Sequence, residues 1–207
     1  FVPSMNTNMY ENPIVQANME KLRSFGYEFV EPESGHLACN TSGKGRFPTL
    51  ETIMDCAEKC IYGRELLKGK KVVVSAGGTQ EKIDPVRYIS NRSSGRQGYA
   101  IAKAAWLEGA DVTLVSCTTA LPAPYGVKMV YIQDARELEK AMNAEYDSCD
   151  AAIMAAAVSD YRPTVQADQK IKKEDFDSLH IDLTQNPDIL YGLGQKKRGH
   201  FLLGLAA

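Results

Sequence analysis

The stretch from Gly77-Gly78-Thr79 to Gly98 carries residue types that suit a phosphate-bearing ligand. Ser93-Ser94-Gly95 runs straight into a helical pattern, and the free N–H groups and partial positive charge of a helix start attract phosphate oxygens. Gly95 and Gly98 let backbone and ligand approach closely. Read from the residues alone, this loop points to a phosphate-bearing ligand such as a nucleotide, and no further. The competing reading is a structural glycine-rich turn with a serine as helix N-cap. More than a dozen residues separate the first glycines from the helix start, whereas a Gly-x-Gly-x-x-Gly fingerprint occupies one tight turn, so a plain NAD site is not expected.

Other groups with chemical potential are scattered. Lys170-Ile171-Lys172-Lys173 is either a solvated charge run or a set of anion contacts, and Asp160 is a turn former before Tyr161-Arg162-Pro163 or a ligand-facing carboxylate. The five cysteines, Cys39, Cys56, Cys60, Cys117 and Cys149, read as thiols rather than as a disulfide framework. Cys56 and Cys60 share a helix face, but no neighbouring His or Cys pair completes a metal set. Lys44 and Arg46 follow Cys39 closely and are expected to lower its pKa. His180 and His200 flank apolar runs and read as strand-edge positions.

The elements that must position these groups follow from periodicity. A helix is predicted over 12–26 and closed by Gly26, then a short strand Tyr27–Val30, an ordered loop or flap over 33–48, and a helix over 49–68. Composition shifts at Leu67-Lys68-Gly69-Lys70-Lys71, which sets domains at 1–68 and 69–207. Beyond it, the strand Val72–Ser75 leads an alternation of helix 96–109, strand Val112–Ser116, helix 134–146, strand Ala151–Met154, helix 187–195 and the apolar run Phe201–Leu205. Such alternation predicts a doubly wound, Rossmann-like α/β domain with a mainly parallel sheet and right-handed crossovers. Ligands in these sheets sit beyond the carboxyl ends of the strands, where the loops 76–95, 117–126 and 155–173 fall.

Composition narrows the possible partners. A net charge of -2 from 24 basic and 26 acidic residues gives no broad positive field, so nucleic acid is not an expected partner. No run of about 18 apolar residues marks a membrane span, the start lacks a secretory signal, and a cytoplasmic protein is expected. Position 1 is not Met, and Gly204-Leu205-Ala206-Ala207 stops inside an apolar run; the sequence is expected to be a piece of a longer protein.

The string Gly77-Gly78-Thr79 through Asp84-Pro85-Val86-Arg87-Tyr88-Ile89-Ser90-Asn91-Arg92-Ser93-Ser94-Gly95-Arg96-Gln97-Gly98 closely resembles the signature of phosphopantothenoylcysteine synthetases. The resemblance continues through Ala155-Ala156-Ala157-Val158-Ser159-Asp160-Tyr161-Arg162-Pro163, Lys170-Ile171-Lys172-Lys173, Asn186-Pro187-Asp188-Ile189-Leu190 and Gly204-Leu205-Ala206-Ala207. It implies a ligase that joins cysteine to 4'-phosphopantothenate through an acyl-nucleotide, with CTP and Mg²⁺. By the resemblance, Asn91 processes the acyl intermediate, while Gly77, Gly78, Thr79, Ser93, Ser94, Gly95, Gly98, Ala156 and Ala206 belong to substrate or nucleotide sites. Asp160, Lys170, Lys172 and Lys173 would face the nucleotide or its metal. Family members carry a further lysine-bearing segment after the Gly204–Ala207 strand, so this stretch alone is expected to have impaired activity or none.

At the other end, Pro3-Ser4-Met5-Asn6-Thr7-Asn8-Met9-Tyr10 and Gly35-His36-Leu37-Ala38-Cys39-Asn40-Thr41-Ser42-Gly43-Lys44-Gly45-Arg46 resemble two motifs of flavin-dependent cysteine decarboxylases, with Asn40 where glycine is usual. This implies a partial flavoprotein-type segment whose complete domain uses FMN, with Asn6 gripping the substrate carboxylate and Cys39 as the flap thiol. Together the motifs resemble the bacterial bifunctional decarboxylase and ligase of coenzyme A synthesis, with phosphopantothenoylcysteine as the shared intermediate and a homo-oligomer expected for the full-length enzyme. The rival readings are an NAD(P)-dependent oxidoreductase and a non-catalytic nucleotide-binding or assembly module.

Overall fold

Three consecutive valines, Val72, Val73 and Val74, are each 4% exposed or less, because their strand is covered on both faces. This doubly buried run is the centre of the second of two units, Phe1–Gly63 and Arg64–Ala207, into which the chain divides in the computed structural model. Residues 1–172, 178–196 and 198–205 are described; Lys173 and Ala206, both expected at the ligand site, lie outside them.

The first unit contains α1 (Thr7–Tyr10), α2 (Pro13–Ser24), β1 (Glu33–His36), β2 (Ser42–Arg46) and α3 (Leu50–Tyr62). Each helix begins at a side-chain cap: Asn6 accepts from Asn8 N–H, Asn12 from Ile14 N–H, and Thr49 from Thr52 N–H. The expected flap is an antiparallel hairpin of β1 and β2, with His36 opposite Ser42. The predicted strand at Tyr27–Val30 does not form. Its backbone instead meets the first residue, with Val30 N–H on Phe1 C=O at 2.9 Å and the Phe1 ammonium on Glu28 C=O at 2.7 Å.

The second unit contains β3 (Lys71–Ala76), β4 (Gln80–Lys82), β5 (Tyr88–Ser90), α4 (Arg96–Leu107), β6 (Asp111–Ser116), β7 (Lys128–Tyr131), α5 (Ala135–Tyr146), β8 (Ala151–Met154), β9 (Tyr161–Pro163), β10 (Leu183–Gln185), α6 (Ile189–Gln195) and β11 (Phe201–Gly204). Five of these strands form a parallel sheet in the order β11-β8-β3-β6-β7. Val72, Val74, Val112 and Leu114 line one sheet face, where α4 packs with Tyr99, Ala102, Ala105 and Trp106. Val73, Val115, Ala152 and Met154 line the other, packed against Leu138, Met142 and Tyr146 of α5 and Ile189 and Leu193 of α6. Each fully buried Val or Leu side chain contributes about 1.5–3 kcal/mol of transfer free energy. The fold is therefore the doubly wound α/β class expected, with helices on both faces.

The chain runs outward from β3 to β6 and β7, then α5 carries it back to β8 on the other side of β3. The strand order reverses between β3 and β8, so a crevice opens at their carboxyl ends. Two small antiparallel hairpins, β4 with β5 and β9 with β10, grow from the loops at this end. No helix among the described residues is long and apolar enough to cross a membrane.

Candidate functional site

At the end of β3 the chain must diverge from β8 without losing its backbone hydrogen bonds. The Ser75 hydroxyl takes the N–H groups of Ala155 and Ala156, each at 3.1 Å, and holds the turn after β8. Gly77 adopts φ +87, a left-handed conformation that a side chain would strain, and accepts from Ala157 N–H at 2.8 Å. Thr79 is fully buried, and its hydroxyl accepts from Ser159 N–H at 2.9 Å. Thr79 therefore stitches two loops together from beneath; it presents no hydroxyl to a ligand.

Asn91 follows the β4–β5 hairpin and returns to the same loop. Its amide donates to Val158 C=O at 3.1 Å and to Ala157 C=O at 3.5 Å. The hairpin fits closely because position 78 has no side chain: a Cβ on Gly78 would stand 2.7 Å from Asn91 O. Ser93 N–H closes the turn on Asn91 C=O at 2.9 Å.

The start of α4 is open to an anion. Gly95 is its N-cap in the left-handed region, φ +78, and no side chain caps the helix; Ser94 Oγ is a long 3.4 Å from Arg96 N–H. The first-turn amides that a capping side chain would satisfy are left for another acceptor. Gly98, by contrast, is buried under the helix. A Cβ there would come within 2.5 Å of Ala76 Cβ and 2.7 Å of Ser75 O, so the missing side chain at this position lets α4 approach β3.

On the far side of the 155–160 loop lies a cavity of about 610 Å³, walled by Ala156, Val158, Asp160, Asn186, Asp188 and Leu190 among others. This volume falls in the range of small-molecule sites. Asn186 builds the wall: its amide donates to Ser159 C=O at 2.8 Å, its N–H to Asp160 C=O at 2.7 Å, and its Oδ1 accepts from Arg162 at 3.1 Å. Asp188 caps α6 through Tyr191 N–H at 2.9 Å. The Ser159 hydroxyl is buried at the edge of this cavity with no hydrogen-bond partner in the protein. Asn186, Asp188 and Ser159 were not singled out as site residues in the sequence, although the Asn186-Pro187-Asp188 string was the available signal.

Lys170 and Lys172 are exposed and line no part of this cavity. The segment that carries them is pinned through Ile171: its N–H donates to Asp84 at 3.2 Å and its C=O accepts from Arg87 at 2.8 Å. Asp84 is almost fully buried and also accepts from the Val86 and Arg87 N–H groups at 2.8 Å each. Arg87, first, and these N–H groups hold the Asp84 carboxyl far below the usual carboxylate range. No group of three or more metal-ligating side chains exists among the described residues; two carboxylates, Asp160 and the helix cap Asp188, stand beside the cavity.

In the first unit, the Cys39 sulphur lies 3.1 Å from the Asn6 amide nitrogen and 3.1 Å from the Thr41 hydroxyl. The thiol pKa is lowered, by Thr41 first and Asn6 next. Neutral donors do this; Lys44, expected from sequence to act on the thiol, is committed to Glu31 at 2.9 Å. The start of every helix in this unit is occupied by its own side-chain cap.

Residues 67–207 match the model of the DNA/pantothenate metabolism flavoprotein C-terminal domain, and residues 1–62 match that of Flavoprotein. The coenzyme A biosynthesis bifunctional protein CoaBC of Bacillus subtilis (strain 168) is 42% identical over 209 residues, which are 99% of this chain and 51% of that protein. The Vibrio cholerae protein of the same name is 42% identical over 208 residues, 99% of this chain and 52% of its own. The crystal structure of the C-terminal domain of a coenzyme A biosynthesis bifunctional protein CoaBC superposes with a TM-score of 0.57 at 42% identity, over 66% of this chain and 63% of that one. The chain spans about half the length of the curated relatives it matches. A domain model covering the whole parallel sheet, and relatives sharing 42% of their residues across nearly the full sequence, show that this chain belongs to the family of the coenzyme A biosynthesis bifunctional proteins CoaBC.

Proposed function

We propose that in the full-length protein the second unit is a CTP-dependent phosphopantothenate–cysteine ligase, and that the first unit supplies the Asn6 and Cys39 side of an FMN-dependent phosphopantothenoylcysteine decarboxylase. The observation that carries the ligase reading is the double use of the 155–160 loop. Its Ala157 and Val158 carbonyls receive Asn91, while Ala156, Val158 and Asp160 wall the cavity. A group held by Asn91 and a nucleotide in the cavity thus share one loop.

In this reading the 4'-phosphopantothenate carboxylate attacks the α-phosphorus of CTP. A carboxylate–phosphorus bond forms and the bond to pyrophosphate breaks; Asp160 would help hold a Mg²⁺ that arrives with the triphosphate, and that ion would offset the developing charge. The cysteine amine then attacks the acyl carbon and CMP leaves. The uncapped α4 start and the Gly77–Gly78 turn receive phosphate oxygens. Asn91 is neutral and cannot offset a triphosphate; its amide N–H groups go to the Ala157 and Val158 carbonyls, which fixes the side chain and leaves Oδ1 to accept from a substrate group held in attack geometry. FMN would be held by the complete flavoprotein domain and supplies redox chemistry when bound. Asn6 would hold the substrate carboxylate beside Cys39. A metabolic enzyme of this kind works in the cytoplasm.

The test uses Asn91→Asp in the full-length protein. CTP affinity is expected to stay within about 1 kcal/mol by calorimetry, while phosphopantothenoylcysteine formation falls roughly a hundredfold, the scale of a lost catalytic hydrogen bond. Quenched-flow with and without cysteine reads the acyl-cytidylate, and thermal melting confirms that the loop still folds. Loss of CTP binding, or product at the wild-type rate, would overturn the role of Asn91. Absence of 4'-phosphopantothenate-dependent pyrophosphate release from CTP by the unaltered protein would overturn the function.

A further inference from the structure

The flap tip places a third polar group against the reactive pair. Gly43 and Gly45 dock the hairpin onto the start of α1 and the residues before it: a Cβ on Gly43 would stand 2.3 Å from Thr7 Oγ1, and one on Gly45 would stand 2.1 Å from Met5 O. Met5 N–H also donates to Gly45 C=O at 3.0 Å. The tip itself is closed by Leu37 N–H on Thr41 C=O at 2.8 Å and Asn40 N–H on Leu37 C=O at 3.0 Å, with Asn40 in the left-handed region at φ +60. This closure turns the Thr41 hydroxyl to within 3.1 Å of the Cys39 sulphur. On the other side, Asn6 Oδ1 is taken by Asn8 N–H at 2.8 Å, so the end of the amide that faces the sulphur, 3.1 Å away, is the donor.

We propose that the Thr41 hydroxyl is a positioning group for Cys39: together with the Asn6 amide it holds the sulphur in a two-donor clamp that favours the thiolate. A neutral thiol can accept from the Asn6 amide and give its one hydrogen to the Thr41 oxygen, whereas a thiolate accepts from both groups, the Thr41 hydroxyl turning to donate. The clamp consists of neutral groups, and the nearby cation Lys44 is engaged by Glu31. The downward shift of the thiol pKa, with Thr41 as its largest cause, agrees with the geometry. The catalytic consequence rests on the reading of Cys39 as the flap thiol. When Cys39 gives its proton to the bound substrate in that reading, the electron pair stays on a sulphur that the Asn6 amide and the Thr41 hydroxyl both reach.

The experiment measures alkylation of Cys39 by iodoacetamide across pH on the intact chain, read by mass spectrometry of the Cys39 peptide so that the exposed Cys60 does not contribute. Thr41→Val should raise the midpoint by about one unit. Its rate at pH 7 should fall only about threefold, because the smaller thiolate fraction is partly offset by the greater nucleophilicity of a more basic thiolate, and the high-pH plateau should rise about threefold. Thr41→Ser should restore the wild-type profile. A Thr41→Val midpoint that coincides with wild type, or a rate that changes equally at every pH as simple exposure would produce, overturns the clamp. Failure of the decarboxylase reading would show separately, as carbon dioxide release in the full-length protein that Cys39→Ser leaves intact while the Thr41→Val midpoint still shifts.

Discussion

At position 98 a side chain has no space: the nearest atoms to a Cβ there are Ala76 Cβ at 2.5 Å and Ser75 O at 2.7 Å, both in the central strand. Gly98→Ala is therefore expected to cost about 1–3 kcal/mol of stability, the usual range for overpacking. Urea unfolding measures it, and an unchanged midpoint would mean that α4 slides off β3 freely. Glycine at an open helix start and glycine packed under a helix look alike in sequence, which is why Gly95 and Gly98 read as equivalent and only the packing of α4 on β3 parts them. Thr79 is a similar case, since the same hydroxyl suits a ligand or a buried N–H. Cys117 makes the opposite point, because burial, first, and the carboxylates of Glu81, Asp134 and Glu137 push its thiol up to about 12. It stays a neutral thiol at pH 8 and should resist maleimide in the folded protein, while exposed Cys39 and Cys60 label. Labelling of Cys117 at a rate like that of Cys60, read by peptide mass spectrometry, would contradict its burial.

Between elements, the Asp84 carboxylate joins the β4–β5 hairpin to the segment of Lys170 and Lys172 by bonding Arg87, its neighbouring N–H groups and Ile171 N–H at once. Its folded-state pKa is depressed, so the stability it contributes is fully present above the unfolded carboxyl value of about 3.9 and is lost only as pH falls through the lower, folded value. Protection of the Ile171 amide from hydrogen exchange, corrected for intrinsic rate, should therefore persist from pH 7 to pH 4. Asp84→Asn should lower that protection several-fold at pH 7 and leave the β3 and β6 amides unchanged; equal loss throughout the sheet would mean that Asp84 supports the whole fold and not this junction. In sequence Asp84 and Arg87 were legible only as part of a motif, because their partner Ile171 lies 87 positions from Asp84. The same limit governs the elements. Long apolar strands such as β3 and β6 announce themselves, whereas β4, β5, β9 and β10 are three residues each and take their partners from distant chain or a hairpin. The predicted strand at Tyr27–Val30 had suitable residues, but strand formation needs a ladder partner, and the backbone bonds of this segment go to Phe1 and to Leu22 at the end of α2.

Across the whole molecule, the strand order reverses between β3 and β8, and the crevice where the loops after these two strands diverge is where a ligand site of the proposed ligase belongs. Asn91, the Gly77 turn, the α4 start and the wall at Asp160 all gather at that end, and all belong to the second unit. Asn6, Cys39 and Thr41 belong to the first, within Phe1–Gly63. The two chemistries therefore draw on separate sets of residues, and a change confined to one set should leave the other reaction alone. Cys39→Ser keeps the shape of the side chain and removes the acidic, polarisable sulphur, so in the full-length protein it is expected to abolish decarboxylation, measured as carbon dioxide release from phosphopantothenoylcysteine. Pyrophosphate release from CTP in the presence of 4'-phosphopantothenate and cysteine should continue at the wild-type rate, because Cys39 and the Asn6 and Thr41 groups that bond it belong to the first unit, whereas the proposed ligase residues belong to the second. The converse change, Asn91→Asp, should spare carbon dioxide release from added phosphopantothenoylcysteine. If either substitution lowers both activities in parallel while thermal melting is unchanged, the reactions are coupled, and the assignment of one chemistry to each unit fails.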